Sequence, residues 1–113
     1  MNIPHLAAVV LAAVAFQPIP ANAHHNHYIA TVYHPSFHGG PNYCDGSTYH
    51  HWGVSAASSW IPCGARVRVN HKGRVLTVRI ADRCASCDID LSAGAAYRLG
   101  VPLDGIATVR ISY

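Results

Sequence analysis

The sequence DRCASCDIDLS at residues 82–92 decides the interpretation of this chain. It contains three of the five acidic residues and two of the four cysteines. A segment rich in β-branched residues precedes it at 75–80, and a helix-like segment follows at 92–100. We therefore predict that residues 82–92 form a strand-to-helix loop, a kind of element that commonly carries functional residues.

The rest of the chain predicts a small β-rich barrel with one short helix. Alternating or β-branched segments indicate strands at residues 28–33, 53–57, 65–70, 74–80 and 106–112. The turn His71-Lys72-Gly73 should join two of them into a hairpin. Ser92 can cap the helix, and Gly100 can end it in a left-handed conformation. Residues 34–52 lack periodicity and predict a long loop, which in a small domain is often functional.

The N-terminus has the pattern of an export signal. An apolar run at residues 6–16 is too short to span a bilayer, which takes roughly 20 residues, and it is followed by Ala-Asn-Ala at 21–23. This pattern predicts a secretory signal peptide over residues 1–23 and one mature domain over residues 24–113. We expect a secreted or periplasmic protein without membrane association once the signal is removed.

The charge of the mature domain indicates its class of partner. The segment 1–23 contains no Asp, Glu, Lys or Arg, so the mature domain keeps the whole net charge of +3. A basic exported domain is attracted to acidic wall polymers. The basic residues are dispersed and no nucleic-acid motif appears, so nucleic acid is not expected. We expect a monomer that binds peptidoglycan or another wall polysaccharide and needs no cofactor.

Aromatic and histidine residues supply candidate binding groups. Tyr33, Tyr49 and Trp52 have flat faces suited to stacking on sugar rings, although such residues also cover a core beneath a loop. We assign them to substrate binding together with Arg83, which would instead hold Asp82 ionised if the two paired. The sequence His-His-Asn-His at 24–27 is either a solvated tail or a copper or nickel chelator.

The four cysteines predict two disulfides in an exported domain of this size. Spacing alone leaves three connectivities, but Cys84 and Cys87 share one short loop and should pair, which leaves Cys44 with Cys63. A four-cysteine zinc site would normally show a second short pair, and a redox Cys-x-x-Cys would normally lie in a thioredoxin-like βαβ unit. We therefore expect no metal site.

An ordered set of motifs resembles a known family. The motifs are ATVYHP with FHG at residues 30–39, SAA at 55–57, IPCGARVRV at 61–69, VRIADR at 78–83, IDLS at 89–92 and AAYRLG at 95–100. Together they resemble the rare lipoprotein A (RlpA-like) double-psi β-barrel family, which is related to barwin and expansins. The resemblance implies a six-stranded, mainly β barrel with one or two short helices. It also supports pairing of Cys44 with Cys63, as in barwin-like relatives.

The resemblance implies roles for two aspartates. Asp82 occupies the position of the aspartate that is important in the lytic transglycosylases, and Asp90 that of the aspartate important in expansins. The transglycosylase glutamate has no counterpart, because the chain contains no Glu, and Asp45 is the nearest acid. The position of the histidine found in the transglycosylases is occupied by Ser58 in this chain. His50 and His51 are the nearby histidines that could take its place.

Two functions therefore compete. Cleavage of a glycosidic bond needs an acid that stays protonated near neutral pH, which burial or a neighbouring carboxylate can provide. A lytic transglycosylase can use Asp82 as acid and then base, because the sugar's own hydroxyl replaces water. The alternative is an expansin-like or barwin-like module that binds or loosens wall polysaccharide without turnover, using Asp90 and the aromatic loop.

Overall fold

The computed structural model describes residues 27–113. The predicted signal segment and residues 24–26 of the histidine-rich stretch lie outside the described residues. Among residues 27–113, no helix is long and apolar enough to cross a membrane.

Six strands close into one barrel, which confirms the predicted architecture. The strands are β1 (His27–Val32), β2 (Ala56–Ser58), β3 (Arg66–His71), β4 (Arg74–Arg83), β5 (Ile89–Leu91) and β6 (Ala107–Ser112). Their order around the barrel is β1-β5-β2-β4-β3-β6. The pairs β1–β5 and β2–β4 are parallel and the others antiparallel. Within residues 27–113 the barrel is accompanied by one α-helix, α1 (Ala93–Leu99), and a 3₁₀ turn at Pro35–Phe37.

The core of the barrel is filled by the apolar residues that alternate with polar residues along the strands. In β3, Val67 and Val69 are fully buried whereas Arg66 and Arg68 are exposed. The same period of two recurs in β6, where Val109 and Ile111 point inward. Because successive side chains of a strand point to opposite faces, the apolar half of each strand packs inside and the polar half covers the outside.

The local turn and cap predictions are confirmed. β3 and β4 form a hairpin in which Lys72 and Gly73 both have positive φ, +51° and +89°. Such a mirror-image turn matches the twist of the strands that it joins. The Ser92 hydroxyl accepts a hydrogen bond from the Ala95 N–H at 3.3 Å. Gly100 ends the helix with a φ of +70°.

The predicted loop at residues 82–92 is shorter than expected. Asp82 and Arg83 are the last residues of β4, and residues 89–91 form β5, so only residues 84–88 are a loop. A strand of three residues has too few positions to show a period. β5 forms because it pairs with β1 on one side and β2 on the other. β2 likewise lies at 56–58 and not at 53–57.

Candidate functional site

A row of four side chains crosses the outer face of the barrel and contains both predicted catalytic aspartates. Thr31 lies opposite Asp90, Asp90 opposite Ala57, and Ala57 opposite Asp82. Residues directly opposite one another project from the same face of a sheet. Neighbouring strands are about 4.8 Å apart, so the aspartate Cα atoms are separated by about 10 Å. We call these four residues the aspartate row.

A β-bulge puts Asp82 into this row. Ala56 pairs with Ile80 but Ala57 pairs with Asp82, so Ala81 is the extra residue. A register slip of one residue moves a side chain to the other face of a sheet, and without the bulge Asp82 would point toward the core. The carbonyl of Ala81 accepts a hydrogen bond from the Cys44 N–H at 3.0 Å, which fastens the loop above the bulge.

Two donors hold the carboxylate of Asp82. Its Oδ2 accepts a hydrogen bond from the Tyr33 hydroxyl, and its Oδ1 accepts one from the Tyr43 N–H, both at 2.8 Å. Burial, followed by the Asp82 carboxylate itself, raises the pKa of the Tyr33 phenol well above its usual range. Tyr33 therefore stays a hydrogen-bond donor at neutral pH, and Asp82 is fixed at the partly exposed end of the row.

Asp90 lies in a different environment. Its Oδ1 accepts a hydrogen bond from the Thr31 hydroxyl at 2.8 Å. Burial raises the pKa of Asp90 and the nearby charge of Asp82 adds to this effect, while the Thr31 hydrogen bond opposes it. The row thus contains one carboxyl group whose pKa is raised mainly by burial, Asp90, beside a second, Asp82, whose oxygens are held by two hydrogen-bond donors.

Two of the predicted stacking residues lie beneath the loop. Tyr33 and Tyr49 stack on each other with ring centroids 4.4 Å apart, and their exposed fractions are 8% and 2%. The Tyr49 hydroxyl is 2.8 Å from Nδ1 of His51, and burial is the main cause that raises the pKa of Tyr49 to about 12. This placement matches the alternative in which aromatic rings cover the core under the loop.

Trp52 is placed differently. It is 64% exposed, and its ring meets His51 edge to face at 5.6 Å between centroids. Phe37 and Tyr43 are also exposed on the same loop, at 59% and 75%. Sequence reasoning could not separate these residues from Tyr33 and Tyr49, because the loop has no period that marks a buried face.

Arg83 binds the backbone and not Asp82. Its Nη1 donates to the carbonyl oxygens of Ser58 at 2.8 Å and Ile61 at 2.6 Å. Its Nη2 donates to Sγ of Cys63 at 3.3 Å. The guanidinium group therefore stabilises the turn after β2 through these hydrogen bonds. Ser58, at the position of the family histidine, is fully buried and its hydroxyl accepts the Trp60 and Ile61 N–H groups.

Both predicted disulfides are present. Cys44 is bonded to Cys63, and Cys84 to Cys87. The Cys84–Cys87 bridge closes the link between β4 and β5, the strands that carry the two aspartates. The Cys44–Cys63 bridge ties the long loop to the turn after β2. Because all four thiols are used in this way, the four-cysteine zinc alternative does not apply.

A cleft of about 420 Å³ lies beside the bulge, between β4 and the long loop. Its lining includes Asn42, Ser47, His50, Arg79 and Ala81. Asp45 forms an ion pair with Arg79 at 2.9 Å next to this cleft. Hydrogen bonds from Ser47, then the one from Arg79, lower the pKa of Asp45 to about 2. Asp45, the acid nearest to the missing glutamate, is therefore held ionised.

Comparison with known proteins gives a consistent family. A family model described as "Lytic transglycolase" matches residues 27–111. An uncharacterized Synechocystis protein is 36% identical over 85 residues, which cover 74% of this chain and 92% of that protein. A probable endolytic peptidoglycan transglycosylase RlpA of Synechocystis is 36% identical over 74% of this chain and 27% of its own length. An endolytic peptidoglycan transglycosylase RlpA of Campylobacter jejuni is 35% identical over 74% of this chain and 32% of its own.

A solved structure has the same fold. The Streptomyces papain inhibitor matches with a TM-score of 0.63 and 27% identity, over 84% of this chain and 97% of its own. The match thus covers 92% of the uncharacterized Synechocystis protein and 97% of the papain inhibitor, but only about a third or less of the two transglycosylases.

The raised pKa of Asp90 predicts a pH-dependent stability. The folded state favours the protonated carboxyl, so this stabilisation is full below the ordinary pKa of 3.8 and is lost as the pH rises through the folded-state value. Asp90→Asn keeps a neutral polar group and should avoid that loss. In denaturant titrations, the stability of Asp90→Asn relative to wild type should rise from acidic to neutral pH.

Asp104→Asn is the matched control, because it changes an exposed turn carboxyl. A difference between Asp90→Asn and wild type that stays constant across this pH range would contradict the prediction.

Proposed function

Because the chain belongs to the lytic transglycolase family, we propose that it acts on peptidoglycan and cleaves glycan strands with Asp82 as the catalytic acid and base. The observation that carries the proposal is the carboxylate of Asp82, held by the Tyr33 hydroxyl and the Tyr43 N–H at the outer end of the aspartate row. A group fixed in this way keeps one geometry while its proton is exchanged, which general acid–base catalysis needs.

The proposed reaction uses one carboxyl group twice. Asp82 first gives its proton to the glycosidic oxygen as the bond to the anomeric carbon breaks. It then accepts the proton of the same sugar's C6 hydroxyl as that oxygen attacks the anomeric carbon. The products are a free hydroxyl on the leaving sugar and an internal anhydro bond, so no water is consumed and Asp82 ends protonated. Asp90 shares the row, and its charge state alters the field at Asp82.

The test is mass spectrometry of soluble products after incubation with purified peptidoglycan. Wild-type protein should release fragments with anhydro-sugar ends. Asp82→Asn should lower the release at least about 100-fold, because it removes the acid and base while keeping the size of the side chain.

Asp88→Asn is the control for this experiment. Asp88 is a carboxylate on the loop between β4 and β5, outside the aspartate row, and it accepts a hydrogen bond from the Ile29 N–H. Unchanged release by a folded Asp82→Asn protein would refute the catalytic role.

A second candidate function is binding or loosening of the wall without turnover. Three features support it. The chain has no counterpart of the transglycosylase glutamate, and Asp45, the acid nearest to that position in the sequence, is held ionised. The position of the family histidine is occupied by the buried Ser58. In this function the exposed ring of Trp52 stacks on sugar while the aspartate row orients hydroxyl groups.

Trp52→Ala should then weaken retention on insoluble wall by about 1 to 3 kcal/mol, by analogy with bases that stack on aromatic side chains. Co-sedimentation measures this effect, with Tyr97→Ala as control because Tyr97 is a 70% exposed ring on α1. Equal retention of both variants and wild type would remove Trp52 from the binding surface.

A third candidate is inhibition of a papain-like protease, supported by the fold match to the Streptomyces papain inhibitor, which covers 97% of that inhibitor's chain. If the inhibitory surface is shared, stoichiometric addition of this protein should abolish papain hydrolysis of a peptide substrate. Full papain activity at an excess of the protein would reject this candidate.

A further inference from the structure

The outer face of β3 and β6 carries positively charged side chains that do not contact the aspartate row. Arg68 and Asn70 alternate with the buried Val67 and Val69, so both point outward on β3. Arg110 lies opposite Asn70 on β6 and is also exposed. Lys72 extends the same face at the hairpin turn. We call Arg68, Asn70, Lys72 and Arg110 the basic face.

The register brings the two arginines of this face together. Arg68 lies opposite Ser112, and Arg110 opposite Asn70, so the arginines are diagonal neighbours across two strands. Such diagonal Cα atoms are about 7 to 8 Å apart, within reach of long side chains. Two guanidinium groups in this arrangement repel each other, and an anion between them would relieve the repulsion.

The basic face is concave. A recess of about 220 Å³ lies between Arg68 and Arg110 and includes Asn70 and Ser112 in its lining. A second recess of about 490 Å³ is lined by Asn70, Lys72 and Arg110, together with His27 and Thr108. The two recesses share Asn70 and Arg110, so they adjoin and can take more than one group of an extended ligand.

The cations of this face lack acidic partners within the described residues. Over residues 27–113, the ion pair present joins Arg79 to Asp45, at the other end of the β3–β4 hairpin. Asp82 and Asp90 lie on β4 and β5, on either side of β2, whereas β3 and β6 close the opposite side of the barrel. The two aspartates and the basic side chains therefore lie on different faces of the barrel, and one short ligand cannot contact both faces at once.

We propose that the basic face binds the free carboxylates of peptidoglycan stem peptides, on a strand other than the one at the aspartate row. The inference rests on the proposed function for the identity of the polymer. Arginine and lysine suit carboxylates, while Asp82 and Asp90 repel them. The barrel then contacts sugar with one face and peptide with the other, and it gains affinity from two simultaneous contacts.

The test compares retention of the full protein on two forms of purified peptidoglycan. One form is intact, and in the other the stem peptides have been removed by an amidase. Arg68→Gln combined with Arg110→Gln should weaken binding to intact peptidoglycan about tenfold, because two charge contacts are lost. Wild-type retention should also fall with added salt. On glycan without stem peptides, wild type and double variant should bind equally.

Arg98→Gln is the control, because Arg98 is an exposed arginine on α1 that lines neither of the two recesses. Retention of the double variant equal to wild type on intact peptidoglycan would overturn the proposal. So would wild-type binding that is unaffected by removal of the stem peptides. Equal competition by inorganic polyphosphate and by polyglutamate would show a general anion site and would overturn the stem-peptide assignment.

Retention and product release separate this proposal from the catalytic one. Asp82→Asn should keep the salt-dependent retention that requires stem peptides while releasing at least about 100-fold fewer fragments. The double variant should lose that part of the retention but still cleave soluble glycan fragments that carry no stem peptides. If the wild-type protein releases no fragments but the double variant is retained less than wild type, catalysis is refuted and the proposal for the basic face stands.

Discussion

The register between β2 and β4 is the constraint on which the site depends. One extra residue, Ala81, turns Asp82 from the core to the outer face and aligns it with Ala57 and Asp90. β2 separates the aspartate-bearing strands by a fixed distance, since it is hydrogen-bonded to both. The geometry of the two carboxyl groups is therefore set by the backbone, and it does not rely on the conformation of a flexible loop.

The loop above the row supplies the environment for these carboxyl groups. Tyr33 crosses from the end of β1 to Asp82, and Tyr49 stacks beneath the loop against Tyr33. Their rings cover Ala57, whose small side chain leaves room for them between the aspartates. Burial raises the pKa of Asp90, and its charge in turn contributes to raising the pKa of both tyrosines. Hydrophobic packing and acid chemistry thus depend on the same few side chains.

Short stretches of sequence were enough to predict the structural features that only a few neighbouring residues determine. The hairpin at Lys72-Gly73 and the helix caps follow from residue type and spacing, and both are present. Both disulfides are present as well, and they were predicted from the short loop that Cys84 and Cys87 share, with support from the family resemblance. β5 was missed, because three residues show no period and form a strand only through partners distant in sequence. The backbone contacts of Arg83 were missed for a related reason: they join residues more than 20 positions apart. The motifs identified both aspartates, but only the register explains why they share a face.

The way in which the long loop is attached has an evolutionary consequence. The loop is fastened by the Cys44–Cys63 bridge, by the Cys44 N–H on Ala81, and by the Tyr33–Tyr49 stack. The aspartates belong to strands, so substitutions elsewhere in the loop leave them in place. The exposed loop residues outside these attachments, such as Phe37 and Trp52, can therefore change without altering the strand positions of the two aspartates. Relatives named as transglycosylases and a neighbour named as a papain inhibitor are what such drift on one barrel would produce.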